Sequence, residues 1–168
     1  MRIKPQPTTW QEASEIELNT IDANIPILDY HHSADMVEEL SIRKRYIADL
    51  VHAGIEDTDA WRRHLAYMLM VCGNIAARKL YCLREWDMDH MLELLASKQH
   101  DYGHGNITAF GLVGVAVRMA DKIARLENLT QRKDSAINEP LLDTYIDIVG
   151  YAVIAGMLIN DTFRLELG

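Results

Sequence analysis

The spacing of apolar residues along the chain follows the 3.6-residue period of an α-helix in nearly every segment. Between residues 58 and 83, for example, Leu65, Leu69, Cys72 and Ile75 recur three or four positions apart, so they share one face of a helix. No segment alternates apolar and polar residues for long enough to predict a strand. The pattern predicts an all-α protein, a single-domain helical bundle of about six helices over residues 1–168.

Capping residues indicate where these helices begin and end. Thr9-Trp10-Gln11-Glu12 is a capping-box pattern, which predicts a first helix that runs to about Asp22. The other five are predicted, in chain order, from Ala34 to about His52 with a stop at Gly54, from Asp57 or Thr58 to about Leu83, from Asp87 or Asp89 to near Asp101, from about Thr108 to Leu129, and from a cap at Asn138 to about Phe163.

The net charge of the chain argues against two classes of binding partner. A formal net charge of −8 disfavours a nucleic-acid polymer or a membrane surface as a partner, because both are rich in phosphate. The most apolar run, Ile148 to Ile159, is too short to cross a bilayer. Cys72 and Cys82 are ten residues apart on one predicted helix, too far for a disulfide between them. Reduced cysteines fit a cytoplasmic protein.

The stretch from Lys98 to Leu129 holds the most informative polar residues. It breaks at Tyr102-Gly103-His104-Gly105-Asn106, where two glycines allow either a plain turn or close approach of a ligand. The helix that follows carries one stripe of charges on a small, apolar background, which is either a solvated edge or the wall of a polar site. The stripe consists of Arg118, Asp121, Lys122 and Arg125.

Carboxylates on the last three predicted helices could converge on a cation. Asp143 and Asp147 are four apart on an apolar helix and face the same way. They either share a cation or benefit from the dipole at a helix N-terminus. Hard cations such as Mg²⁺ or Mn²⁺ prefer carboxylate oxygens, and helical bundles gather such ligands from several helices. The candidate metal ligands are Glu93, Asp121, Asp143 and Asp147, and the candidate catalytic residues are Glu93, Asp101 and Lys98.

A family resemblance covers residues 91–158, the motif-bearing part of the chain, whereas residues 1–85 carry no readable motif. Its residues are Lys98-x-x-Asp101-Tyr102-Gly103, Gly105-Asn106-Ile107, Phe110-Gly111, Gly114-Val115, Arg118-Met119-x-Asp121-Lys122, Arg125-Leu126-x-Asn128-Leu129 and Asn138-Glu139-x-x-x-Asp143-x-x-x-Asp147-x-x-Gly150-Tyr151-Ala152. This pattern resembles phage and bacterial proteins tied to nucleotide modification. That group is similar in turn to the all-α, MazG-like nucleoside triphosphate pyrophosphohydrolases.

The resemblance implies a homo-oligomeric helical bundle, a dimer or tetramer, that acts in the bacterial cytoplasm, or in the host cytoplasm if phage-encoded. It implies cleavage of a (deoxy)nucleoside triphosphate to the monophosphate and pyrophosphate with Mg²⁺. The chain departs from the broader superfamily pattern of EExxE followed by ExxD, since Glu38-Glu39 lacks a third glutamate and Asp143 and Asp147 are four apart. Basic residues would bind the phosphates that the metal leaves free. The candidate substrate-binding residues are Lys98, Tyr102, Asn106, Arg118, Lys122 and Arg125.

Two other functions fit the sequence. His100-Asp101 is an HD pair, and with His64 and Asp147 it could form the metal site of an HD-type deoxynucleotide phosphohydrolase. The chain could instead be a non-enzymatic helical binding protein whose N-terminal half contacts a partner. Substitution of His64 and His100 separates the two enzymes, and a nucleotide-induced rise in melting temperature separates either enzyme from the binding protein.

Overall fold

The computed structural model describes residues 6–25, 33–53, 58–131 and 139–168. Within these ranges the backbone forms seven helices and no strand, which confirms the predicted all-α class. They are α1 (Trp10–Asn24), α2 (Ser33–Ala53), α3 (Asp59–Cys82), α4 (Met88–Tyr102), α5 (Gly105–Thr108), α6 (Gly111–Gln131) and α7 (Glu139–Ile159). The expected stop at Gly54 and cap at Asn138 lie outside the described residues.

Three of the predicted caps are present. The Thr9 hydroxyl accepts a hydrogen bond from the amide of Glu12, and Thr58 accepts one from Trp61. The carboxylate of Asp87 accepts one from the amide of His90. Each cap satisfies an N–H group that has no partner inside its helix, so a short polar residue fixes where the helix begins.

Left-handed residues account for the two places where the predicted boundaries are wrong. The helix expected from about Thr108 begins at Gly111 as α6, after a separate short helix α5 that was not predicted, because Gly111 has φ +55° and interrupts the helical path. The helix expected to reach Phe163 ends at Ile159, and Asp161 follows with φ +55°. Asp tolerates this conformation better than most residues do. The chain then folds back, and the amide of Trp10 donates to the Glu166 carbonyl at 2.9 Å.

Helix α7 is the centre of the bundle. It packs most extensively against α3 and α6, and it also contacts α1 and α4. By length and composition alone, Leu141–Ile159 could cross a membrane. This corrects the prediction from the sequence, which considered only the shorter apolar run from Ile148 to Ile159. Half of this stretch is buried inside the protein, as in the core helix of a bundle. Its α3 contact is close, because Gly73 brings the two backbones together at Ala152.

The two cysteines are free, as predicted. Cys72 is buried in the core between helices, and burial raises the pKa of its thiol to about 12. Cys82 is exposed at the end of α3. A thiol with a raised pKa stays protonated and unreactive, so Cys72 acts as a small apolar core residue.

Candidate functional site

A cleft of about 450 Å³ lies where α4, α6 and α7 meet, with α1 and α5 at its ends. Its size is within the range typical of small-molecule sites. Helix α4 contributes one face and α7 another, each following the helical period. The lining residues are Met91, Leu94, Leu95, Lys98, Gln99 and Tyr102 from α4, Asn106 and Ile107 from α5, Arg118 and Lys122 from α6, Ile146, Asp147, Gly150, Tyr151 and Ile154 from α7, and Trp10 from α1.

Asp147 joins two lysines across the cleft. The Nζ atom of Lys98 lies 2.7 Å from Asp147 Oδ1, and the Nζ atom of Lys122 lies 2.7 Å from Oδ2. One carboxylate on α7 therefore holds a lysine from α4 and another from α6. The Asp147 side chain is 20% exposed, and those of Lys98 and Lys122 are 46% and 26% exposed. Water screens these pairs only in part, so they are stronger than ion pairs on an open surface.

The environment of Asp147 keeps its carboxylate ionised. Burial alone raises the pKa of this group, because a charge loses hydration in the interior. The hydrogen bonds from Lys122 and Lys98 outweigh burial and hold the pKa of Asp147 below its usual value. An aspartate with a lowered pKa is a weak general base and a stable anchor for cations.

Arg118 connects α6 to the turn after α4. Its guanidinium donates to the main-chain oxygen of Asn106 at 3.2 Å, which fixes the orientation of Asn106 at the wall of the cleft. The Asn106 side-chain oxygen is buried and has no hydrogen-bond partner among the described residues. Gly103 has φ +61°, a left-handed conformation that lets the chain turn sharply between α4 and α5. Asn106 therefore lines the same cleft as Lys98 and Lys122, with its main chain held by Arg118.

The other end of the cleft is apolar. Trp10 of α1 is 1% exposed, and it lines the cleft together with Met91, Leu95 and Ile154. Its ring makes an edge contact with Phe163, with ring centroids 6.3 Å apart. The cleft is thus amphipathic, because both charged groups and an apolar wall with Trp10 line it.

The structure brings together part of the set predicted from the sequence. Lys98, Tyr102, Asn106, Arg118, Lys122 and Asp147 all line the cleft. The remaining candidates are exposed and do not line it: Glu93, Asp101, Asp121, Arg125 and Asp143. The Asp101 carboxylate instead lies 3.4 Å from the ring nitrogen of its neighbour His100.

Helix geometry explains why the charged stripe on α6 is divided. Arg118 and Lys122 are one turn apart and point the same way. Arg125 points in nearly the same direction as Arg118, but it lies seven residues further along the helix, about 10 Å from Arg118, and it does not line the cleft. Asp121 is about 100° from Lys122 around the helix, and this turns it to solvent. Arg118 and Lys122 of this stripe therefore form part of the cleft wall, whereas Asp121 and Arg125 are exposed to solvent.

The expected convergence of carboxylates is not seen. Among the described residues, no three His, Cys, Asp or Glu side chains are grouped so that they could hold a metal ion. Asp147 is the one acidic residue among the described residues that line the cleft, and both of its oxygens already bind lysine. Glu93, Asp121 and Asp143 therefore do not fit a resident metal site with Asp147 in this part of the chain. The dependence of the protein on Mg²⁺ or Mn²⁺ stays a prediction.

The residues of the HD hypothesis are also apart from the cleft. His64 is exposed at the start of α3, where its Nε2 atom lies 3.0 Å from the Tyr46 hydroxyl. The His100 side chain is 80% exposed on α4. Neither histidine lines the cleft that contains Asp147. The described geometry thus gives no support to a His–His-Asp–Asp metal site.

Sequence reasoning missed Gln99 and Trp10 among the residues that line the cleft. Gln99 lies next to Lys98, and its amide nitrogen lies 2.9 Å from His104 Nδ1. The apolar spacing of Met91 and Leu95 could have identified this face of α4, since Gln99 continues it. Trp10 left no such signal, because it comes from a segment without a readable motif and reaches the cleft only through tertiary packing.

Comparison with known proteins supports one part of the resemblance. No curated protein and no solved structure matches the chain. One family model does match, over residues 98–159, and that range contains Lys98, Asn106, Arg118, Lys122 and Asp147. The charged residues of the cleft thus lie within this segment, which is a little over a third of the chain. The matching family is described as nucleotide modification associated domain 1, and the match supports a place for this protein among the nucleotide-modification-associated proteins.

Proposed function

We propose that the protein binds a (deoxy)nucleoside triphosphate in this cleft and hydrolyses it to the nucleoside monophosphate and pyrophosphate. The observation that carries the proposal is the charge of the cleft. Among the described residues that line the cleft, three are basic (Lys98, Arg118 and Lys122) and one is acidic (Asp147), in a chain whose net charge is −8. A local excess of positive charge in an acidic protein favours a small anionic ligand over a polyanion, which the rest of the surface would repel.

The basic groups retain donors for phosphate oxygens. An ammonium group has three N–H donors, and the structure shows one oxygen of Asp147 at each lysine. Arg118 donates to the Asn106 carbonyl through one of its five N–H groups. Ionised donors form strong hydrogen bonds with phosphate, and a guanidinium can bind two oxygens at once. These three side chains would hold the triphosphate, with Asp147 keeping both lysines in place.

In the proposed reaction a water oxygen attacks the α-phosphorus. The bond from this phosphorus to the bridging oxygen breaks, pyrophosphate leaves, and the proton of the water passes to solvent. Lys98 and Lys122 neutralise the negative charge that develops on the leaving oxygens. Electrostatic stabilisation of this kind is usually the largest single contribution to the rate of an enzyme. Asp147 can accept a hydrogen bond from the water. Because no three acids, histidines or cysteines among the described residues are grouped for a metal ion, we propose that Mg²⁺ or Mn²⁺ enters as part of the substrate complex.

A panel of the ribo- and deoxynucleoside triphosphates tests this function. Each is incubated with the protein and Mg²⁺, or with EDTA, and both products are quantified. We expect equal amounts of monophosphate and pyrophosphate from at least one nucleotide, and a loss of about tenfold or more in the Lys122→Met variant. Release of orthophosphate in place of pyrophosphate, or unchanged turnover in Lys122→Met, would overturn the proposal.

A second candidate is nucleotide binding without hydrolysis. The state of Asp147 favours this candidate. Asp147 is the one acid that lines the cleft in the described part of the chain, it is paired with two lysines, and its pKa is lowered. Such an Asp147 holds cations well and takes up protons poorly. Saturable binding in a calorimeter, without pyrophosphate release from any nucleotide, would identify the protein as a binding protein.

Self-association and a cytoplasmic location stay predictions from the resemblance. Three large apolar residues, Phe110, Val113 and Val117, are exposed on successive turns at and after the start of α6. An exposed apolar stripe of this kind fits a protein that associates with itself. Light scattering coupled to size-exclusion chromatography measures the mass directly, and a monomer at micromolar concentration would contradict the prediction.

A further inference from the structure

The indole N–H of Trp10 has no acceptor in the part of the chain that the structure describes. Trp10 is 1% exposed, and its Nε1 atom has no hydrogen-bond partner among the described residues. An unpaired buried donor destabilises the folded state, because it loses the hydrogen bond that it makes with water in the unfolded chain. The other two tryptophans of the chain do not bear this cost, since Trp61 donates to the Leu50 carbonyl at 3.1 Å and Trp86 donates to the Asp22 carboxylate at 2.8 Å.

Contacts with the C-terminal segment hold Trp10 in its position. Its main-chain amide donates to the Glu166 carbonyl at 2.9 Å. Its ring meets the ring of Phe163 edge-on, with an angle of 70° between the planes. Phe163 also contacts the ring of His104, with centroids 5.7 Å apart, and His104 lies beside the turn that carries Asn106. Phe163 thus couples the aromatic wall of the cleft to the turn.

Asn106 supplies the complementary group. Its side-chain oxygen is a buried acceptor without a donor in the described chain, and its main chain is fixed by Arg118. Trp10 and Asn106 line the same cleft, together with the apolar residues Met91, Leu95 and Ile154. Among the described residues, those that line the cleft thus include one with a buried unpaired donor, one with a buried unpaired acceptor, and several that are apolar. A nucleobase has two apolar faces and an edge that carries both acceptors and donors.

We infer that Trp10 and Asn106 recognise the base of the nucleotide. The Trp10 N–H donates to an acceptor on the edge of the base, and Asn106 Oδ1 accepts from a ring N–H or an exocyclic amine. The inference rests on the proposed function, because it places the triphosphate at Lys98, Lys122 and Arg118 and the base beside Trp10 and Asn106. It assigns a ligand-binding role to α1, which lies outside the segment that matches the family model.

Binding of inorganic tripolyphosphate and of the four deoxynucleoside triphosphates, each with Mg²⁺, separates the two ends of the cleft. In the full-length Trp10→Phe variant, which keeps an aromatic wall and loses the N–H, we expect affinity for the best-bound deoxynucleotide to fall about two- to tenfold. Affinity for tripolyphosphate should not change. Asn106→Ala should show the same separation, whereas Lys98→Met should weaken both ligands together.

Trp86→Phe is the matched control, because Trp86 does not line the cleft. It breaks an existing hydrogen bond, so we expect a lower melting temperature and unchanged nucleotide affinity. Unchanged affinity for all four deoxynucleotides in Trp10→Phe would overturn the inference, as would an equal loss for tripolyphosphate. If wild-type protein binds neither ligand class, or if Lys98→Met binds both normally, the proposed function itself is wrong.

Discussion

The ammonium group of Lys98 and the carboxylate of Asp147 lie 2.7 Å apart, although 49 residues separate them along the chain. This contact joins α4 to α7, and the second oxygen of Asp147 extends it to Lys122 on α6. The sequence predicts Asp147 as a metal ligand and the two lysines as substrate-binding residues. The structure instead pairs the Asp147 carboxylate with both lysines. The three act as one unit, so a change in any one of them alters the other two.

Loss of either lysine should weaken catalysis without unfolding the protein. We expect Lys98→Met and Lys122→Met each to lower kcat/KM by about ten- to a hundredfold, because a hydrogen bond to a charged group contributes about 1.5–3 kcal/mol. Arg125→Met is the control, since Arg125 is exposed and does not line the cleft. Steady-state kinetics with circular dichroism measures both effects. A loss in Arg125→Met as large as in the lysine variants would contradict this assignment of the phosphate end.

Asp147→Asn should change how stability depends on pH. The pKa of Asp147 is lowered in the folded protein, so its ion pairs stabilise the fold at pH values above the unfolded pKa of about 4. This stability is lost as the pH falls through the lower, folded pKa. We expect Asp147→Asn to reduce the free energy of unfolding by about 1–3 kcal/mol at pH 7. Urea denaturation at pH 7 and at pH 3 measures whether the difference from wild type shrinks in acid.

Glu17→Gln should stabilise the protein at neutral pH. Glu17 of α1 is buried against Gly156 and accepts a hydrogen bond from the Asn160 amide at 2.7 Å. Burial raises the pKa of Glu17 despite this bond. The folded state therefore holds its proton more tightly than the unfolded state, and stability falls as the pH rises from about 4.3 through the folded pKa.

Glutamine removes the charge and retains an acceptor for Asn160. Thermal unfolding between pH 4 and pH 8 should show an advantage of Glu17→Gln over wild type that grows as the pH rises. Glu15→Gln, at an exposed position on the same helix, is the control and should stay within about 0.5 kcal/mol of wild type at every pH. An advantage that is constant with pH would show that the charge of Glu17 is not the cause.

Gly73→Ala should destabilise the contact between α3 and α7. A Cβ atom at position 73 would lie 2.2 Å from the Cβ atom of Ala152, so the helices would have to separate. We expect a loss of about 1–3 kcal/mol, the usual cost of overpacking a core. Gly105→Ala is the matched control, because a Cβ there meets nothing within 4 Å and alanine favours the helix. Denaturant unfolding of both variants measures the difference, and equal stability of the two would contradict the close packing.

The periodicity of the chain was enough to identify the helices, because a helix that buries one face must repeat apolar residues every three or four positions. It also placed Lys98, Arg118 and Lys122 on faces that could meet a ligand. The caps at Thr9, Thr58 and Asp87 followed from local chemistry, since a side chain bonds an amide three residues away. The interruption at Gly111 did not follow, because glycine is compatible with a helix, a turn or a left-handed residue.

Only the tertiary structure decided which acids enter the cleft. Helical spacing shows that Asp143 and Asp147 share a face, but it does not show where along that face the neighbouring helix crosses. The crossing of α4 and α6 over α7 puts Asp147 between two lysines and leaves Asp143 in solvent, one turn away. Trp10 enters the same cleft because α1 and the C-terminal segment pack there. Sequence spacing sets the faces of each helix, and the packing of separate helices sets which faces meet.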